Sequence, residues 1–381
     1  MLNFFKNYLF GEINKSTYTY EQLENLFNCL NNNTRHQWEL LIRKTITRNE
    51  QLIHIFGTLF YSSIERNDGL HTDCIEKIIE IEPNVASHEE WESLRFVSIV
   101  RGELLVSHYC REKAICQLEA KRGYNSIFKR ISICIEKGDL KNAKRNLSLI
   151  CISPMRFTYT YKSYNSLINV LTNKKKSSSS KFSEFVRNKR IIVIGPAGSE
   201  KQINDYNKQD DIILRFTYRG KKYLPNINSD LPTNLSYYNV EASKKLLSDN
   251  PPFLKDLDFY CCRIPKIDVK DSKGRCEDIY NFAIPFGILL SGQACILDLL
   301  QFDIKSIYLT NYNLYYSKQK HEKNYEISEL TPYRTYAYHD IEGNFNLVKN
   351  LKSAGLITCD DELNTVLNMS SEEYMRGLEQ F

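Results

Sequence analysis

The sequence predicts an α/β fold, with a mostly parallel sheet in the C-terminal half and an all-α segment ahead of it. Three observations predict it. The apolar run Ile191 to Ile194 reads as a buried strand and stops at Gly195-Pro196-Ala197-Gly198-Ser199, a turn of small residues. A short polar crossover then leads to a second apolar run, Ile212 to Phe216. Ahead of both, residues 1 to about 172 carry apolar side chains at i, i+3, i+4 spacing. Strand, glycine turn, crossover and strand open a Rossmann-like nucleotide-binding unit. Glycine suits such a turn because it lets backbone N–H groups approach a phosphate. The turn matches neither G-x-G-x-x-G nor a P-loop, so a strand-to-helix turn with no ligand is the competing reading.

The elements follow in order. Helices are expected over 20–30, 38–47, 51–64, 72–81, 88–107, 113–122, 124–137 and 140–149, separated by breakers such as Asn67-Asp68-Gly69 and Gly138-Asp139. Lys137 to Leu147 resembles a helical-repeat turn, although no 34-residue period runs through the segment. Asn173 to Ser180, NKKKSSSS, reads as a linker. The expected organisation is a helical, repeat-like domain over 1–172, a polar linker over 173–188 and a catalytic domain over 189–381. Further strands are expected at 235–239, 257–263 and 304–310. Phe286 to Phe302 is a helix, or a loop and a helix. Helices follow at 241–247, 344–354 and 371–379, the last capped by Ser370 or Ser371.

Composition narrows the class. The chain has 381 residues, 42% of them hydrophobic, which excludes intrinsic disorder. Residues 1–189 hold 28 Lys+Arg against 20 Asp+Glu, and the remainder holds 23 against 26. The front half is thus mildly basic, which suits an anionic membrane face or an acidic partner. No stripe interleaves cations with aromatics, so no nucleic acid is expected. The 11 cysteines show no C-x₂-C pair, which suits free thiols in a reducing cytoplasm. No run approaches 18 apolar residues; Leu2 to Phe10 suggests at most a membrane-surface helix.

A second landmark lies at Pro285 to Tyr316, PFGILLSGQACILDLLQFDIKSIYLTNYNLYY. A Ser291-Gly292 turn leads into an apolar helix, then a strand, then a polar aromatic tail. This resembles the small motif of sialyltransferases, and most of all the bacterial lipooligosaccharide enzymes. The opening stretch resembles their large motif: Gly195 and Ser199 match its turn, Asp211 and Arg215 its second strand. Asn239, in Tyr237-Tyr238-Asn239, matches the asparagine ending the third strand. His339, in Tyr338-His339-Asp340, stands where the family carries its base. Pro196, Thr217, Asn311 and Asn313 depart from the motif, which leaves sialic acid and Kdo both open as the donor sugar.

The resemblance implies a sialyltransferase-like fold, a GT-A variant. It implies transfer of an acidic 2-keto sugar from a CMP-sugar to a glycan or glycolipid acceptor, in lipooligosaccharide, capsule or other surface polysaccharide synthesis. The enzyme would be cytoplasmic, or peripheral at the inner membrane. His339 would be the base, and Tyr315, at the motif position among Tyr312, Tyr316, Tyr325 and Tyr333, would stabilise the leaving phosphate. Ser291 and Gly292 would hold the sugar carboxylate, and Ser291 is also placed to cap its helix. Gly195, Ser199, Thr217 and Asn239 would line cytidine and sugar, while Arg215 would hold either substrate or structure. His321 is a competitor for the base. No cofactor and no metal are expected: Asp256-Leu257-Asp258 is a D-x-D placed before a strand, and a solvated pair is the plainer reading. The alternatives are a retaining CMP-Kdo transferase with Asp230, Glu241 or Asp340 as nucleophile, and a helical scaffold fused to an inactive nucleotide-binding fold. A nicotinamide dehydrogenase is disfavoured because no acidic residue ends the second strand.

Overall fold

The computed structural model describes residues 40, 43, 49–65, 68–121, 123–151, 158–172, 180–197, 202–224, 228–263, 272–276, 280–317 and 332–380. The expected helix over 20–30, all of the expected 38–47 helix but residues 40 and 43, the 2–10 segment, residues 173–179 of the linker, Ser199, His321 and Tyr325 lie outside them.

The first half is helical: α1 (Glu50–Glu65), α2 (Asp68–Glu80), α3 (His88–Arg101), α4 (Leu104–Ala120), α5 (Tyr124–Glu136), α6 (Leu140–Ser148), α7 (Tyr159–Leu171) and α8 (Lys181–Val186). Polar caps start several of them. Ser87 and Glu90 form a reciprocal capping box on α3, and Asp139, Thr158 and Ser180 cap α6, α7 and α8. The expected helices 88–107 and 113–122 are divided differently. α3 ends at Gly102, whose φ of 86° is left-handed, and α4 then runs unbroken through residues 108–112.

The second half holds β1 (Arg190–Ile194), β2 (Asp211–Phe216), β3 (Leu235–Tyr238), α9 (Val240–Asp249), β4 (Phe259–Cys262), β5 (Gly274–Cys276), α10 (Ser291–Leu299), β6 (Ser306–Thr310), α11 (Pro332–His339), α12 (Ile341–Ser353), β7 (Thr358–Cys359), α13 (Asp361–Asn368) and α14 (Ser371–Leu378). The strands form one all-parallel sheet in the order β5-β4-β3-β2-β1-β6-β7. The fold is therefore α/β and Rossmann-like, with the order reversing between β1 and β6. Register pairs Arg190 with Asp211 at the start of β1 and β2, and their side chains form an ion pair of 2.6 Å.

β1 is buried on both faces, as parallel strands require. Ile191, Val193, Ile212, Leu214 and Leu309 face the core that also contains Trp91, Leu94, Phe96, Cys110 and Phe128 of the helical half. Ile192, Ile194 and Ile213 face the other way, under Ile203, Tyr206 and Leu231. The helices before residue 172 and the sheet after 189 thus share one apolar core. α3 packs on α11, α4 on α14, and α5 on α12. No helix among the described residues is long and apolar enough to cross a membrane.

Candidate functional site

Because every strand is parallel, all C-terminal ends meet at one edge of the sheet, where ligands of open α/β sheets bind. A cavity of about 980 Å³ opens there above β1, β2 and β3. It is lined by Gly195 and Pro196 after β1, by Arg215 through Gly220 around the end of β2, by Asn239 after β3, and by Glu241, Lys244, Lys245 and Ser248 of α9. Its lining carries Arg215, Arg219, Lys244 and Lys245 against Glu241 and Asp249, a cationic excess that suits an anionic ligand.

Gly195 is required where it stands. Its N–H donates to Thr310 O at 2.8 Å, holding the end of β1 against the end of β6. A Cβ there would lie 2.3 Å from Asn311 O and 2.7 Å from the Tyr312 ring. Gly195→Ala is expected to lower stability by about 1–3 kcal/mol, read by urea unfolding. An unchanged midpoint would mean that the β6 end moves aside freely.

Thr217 adopts φ 50°, a left-handed conformation that a β-branched residue rarely takes, while its N–H donates to Tyr237 O at 2.9 Å. Such a conformation stores about 1–3 kcal/mol and occurs often at ligand sites. Asparagine tolerates it better. Thr217→Asn is accordingly expected to stabilise the chain by about 1 kcal/mol in the same unfolding experiment; a destabilised variant would show that the threonine side chain compensates for its backbone.

Asn239 is exposed and caps α9, accepting the Ala242 N–H at 2.8 Å. Its cavity wall and its capping role coexist. Arg215 is buried and holds the 228–233 loop, donating to Thr233 Oγ1 at 2.7 Å, Pro232 O at 3.1 Å and Asn228 O at 2.5 Å.

Ser291, Gly292, His339 and Tyr315 do not line this cavity. Ser291 does not cap its helix: Leu290 holds the cap position, with no side-chain cap, and Ser291 is the first helical residue. The serine is one residue too far along to reach the free N–H groups. Tyr312 connects the two motif turns. Its ring lies against Gly195, its hydroxyl stands 2.3 Å from where a Gly292 Cβ would be, and it donates to Gln293 Oε1 at 2.7 Å. Burial pushes the Tyr312 phenol well up. Tyr315 turns away at φ 67° and packs edge-on against Tyr336 of α11, 5.6 Å between centroids.

His339 ends α11 and is half-buried. Loss of water around the ring, and then the charge of Arg263, push its pKa down to about 4, against the pull of the Ile288 and Leu289 backbone. Its Nδ1 has no hydrogen-bond partner among the described residues. Asn344, which sequence reading missed, ties this residue to the other motif. Its Nδ2 donates to the His339, Asp340 and Ile288 carbonyls, and its Oδ1 accepts the Leu290 N–H at 2.9 Å. The only signal in the sequence is an asparagine on the apolar face of a helix.

The remaining candidates have other partners. Asp256 accepts from the Tyr218 hydroxyl at 3.1 Å and Asp258 from Asn234 Nδ2 at 2.9 Å. Glu241 pairs with Lys244 at 2.9 Å, Asp230 is exposed, and Asp340 is buried beside two arginines. No cluster of metal-ligating side chains occurs among the described residues. A scan against protein-family models finds no match to this chain, and a search of curated proteins finds none either.

Proposed function

We propose that the chain is an inverting, sialyltransferase-like glycosyltransferase of GT-A type that uses a CMP-sugar. What supports this most is the cavity at the C-terminal ends of β1, β2 and β3, where Gly195, Thr217 and Asn239, three motif positions, converge under a cationic excess. Cytidine and the near side of the sugar occupy that cavity, and the anomeric end of the sugar reaches past Gly195 and Tyr312 toward the start of α10. The start of α10, at Ser291 and Gly292, offers a hydroxyl and N–H groups at the positive end of a helix to the sugar carboxylate. His339, neutral at pH 7 with its pKa near 4, takes the acceptor proton. The acceptor oxygen bonds to the anomeric carbon, the bond to the phosphate breaks, and CMP leaves with the electron pair. A tyrosine of the 312–316 segment neutralises part of the charge developing on the phosphate.

The donor is CMP-sialic acid or CMP-Kdo, and the acceptor is a glycan or glycolipid of surface polysaccharide, lipooligosaccharide or capsule. The enzyme works in the cytoplasm, either free or peripheral at the inner membrane. The test is release of CMP from CMP-Neu5Ac and from CMP-Kdo by the full chain, alongside a calorimetric titration with CMP. No turnover of either donor and no heat with CMP would defeat the proposal. One observation favours a second reading, an inactive nucleotide fold carried on a helical scaffold: the Tyr312 hydroxyl occupies the space directly over Gly292. CMP binding without turnover of any donor would select it.

A further inference from the structure

We propose that Arg95 and Arg111, from the helical half, are positioning residues that set the His339–Asp340 turn against the loop entering α10. The two arginines hold both segments at once. Arg95 Nη2 donates to Phe286 O at 3.0 Å, and its Nη1 lies 3.8 Å from Asp340 Oδ1. Arg111 Nη2 lies 3.4 Å from Asp340 Oδ2 and 2.5 Å from Glu136 Oε2. Both guanidinium groups sit over the Phe286 ring, at 5.3 and 5.0 Å from its centroid. Arg111 Nη1 is 3.8 Å from Glu342, which also meets His108 at 2.9 Å. Arg95, Arg111, Glu136, Asp340 and Glu342 are all buried.

Asp340 itself adopts φ 44°, a left-handed conformation that an aspartate tolerates, and its side chain accepts the Gly343 N–H at 3.3 Å to cap α12. A buried ion cluster seldom adds stability over an apolar replacement of the same shape. What it does supply is direction: Arg95 is hydrogen-bonded to the Phe286 carbonyl while its charge and that of Arg111 stand within 4 Å of the Asp340 carboxylate, so one pair of guanidinium groups constrains both a carbonyl and a carboxylate. Here the carbonyl belongs to the loop leading to Ser291 and Gly292, and the carboxylate adjoins His339. The helical half thereby sets the distance between two parts of the site. Its importance for catalysis rests on reading His339 as the base.

Two variants separate position from charge. Arg95→Lys keeps the charge and loses the planar group that donates to Phe286 O; Asp340→Asn keeps the shape and loses the charge. Side-chain NMR titration of His339 in the full chain reads the surroundings of its ring. A displaced turn admits water and lifts that titration from about 4 toward 6.5 in both variants, by about one pH unit or more. Charge alone would leave it unchanged in the first and lower it in the second. Either variant, once shown to be folded, decides the matter, and no rise or a fall overturns the proposal. Where the chain turns over a CMP-sugar, the same variants are expected to lower kcat about 10- to 100-fold and leave KM within about threefold. Lack of turnover by the unaltered chain would defeat the reading of the function and leave the titration result standing.

Discussion

Asp298→Ala is expected to remove about 3–5 kcal/mol of stability, the cost of stripping one partner from a buried ion pair. Asp298 is fully buried on α10. Its Oδ2 accepts from the Tyr237 hydroxyl at 2.5 Å and from Arg275 Nη1 at 2.6 Å, and its Oδ1 accepts from Arg275 Nη2 at 2.8 Å. Arg275 lies over Phe182 at 4.4 Å and Phe302 at 5.1 Å, so its charge has little access to water once the carboxylate is gone. Burial together with the neighbouring Asp298 carboxylate raises the Tyr237 phenol far above its usual range. Removing the carboxylate leaves the buried Tyr237 hydroxyl and a largely covered cation without their shared partner. Against a total of about 5–15 kcal/mol for an ordinary domain, that loss is large. The consequence reaches the candidate site, because this contact ties strands β3 and β5 to the helix that begins at Ser291. Urea unfolding of the variant checks it, and a loss under about 1 kcal/mol would show that the pair is dispensable. Asp298→Asn, which keeps the hydrogen-bonding shape, should lose less.

On the proposed function, His339→Ala is expected to lower turnover of a CMP-sugar by about 10²- to 10⁴-fold, the usual contribution of a general base. CMP affinity should stay near that of the unaltered chain, since His339 does not line the cavity. The pH dependence carries a sharper signature. With a pKa near 4 the ring is neutral and able to accept a proton well below pH 6.5. The acid limb of the rate profile should therefore fall near pH 4, and a limb at 6.5 would contradict the burial of the ring. Stability follows with a definite sign. The folded-state pKa lies below the unfolded value of about 6.5, so the unfolded chain takes up a proton first as the pH drops. The contribution of His339 is complete above pH 6.5 and is lost progressively as the pH falls toward 4. The alanine variant should lack that part of the pH dependence, which unfolding at pH 7 and pH 5 measures.

Much of the sheet was legible because its central strands are apolar runs ending in small or polar residues. β1, β2, β3, β4 and β6 all fall within or close to the expected segments. The edge strands were not. β5 is Gly274–Cys276, three half-buried residues, and β7 is only Thr358–Cys359. Strands this short carry no periodicity, and only pairing with β4 and β6 defines them. The break expected inside α4 has an equally physical origin. Residues 107–113, Ser-His-Tyr-Cys-Arg-Glu-Lys, look like a polar interruption. Arg111 is nevertheless buried in the middle of a helix, because Glu136, Asp340 and Glu342 arrive from distant parts of the chain to meet it.

The candidate site divides in the same way. Gly195, Thr217 and Asn239 came from the resemblance, and each stands at the end of a strand; parallel pairing brings strand ends together, so their convergence in one cavity follows from local pattern. Tyr312 stood among several tyrosines, and only its packing between Gly195 and Gly292 distinguishes it from Tyr315. Asn344 and the two arginines left no readable signal. Local composition determined the strands, the helices and the loops that follow them, since apolar periodicity and turn chemistry act over a few residues. The tertiary structure decided which polar side chains are buried and what they hold, because a buried charge is tolerated only when partners far away in sequence complete it.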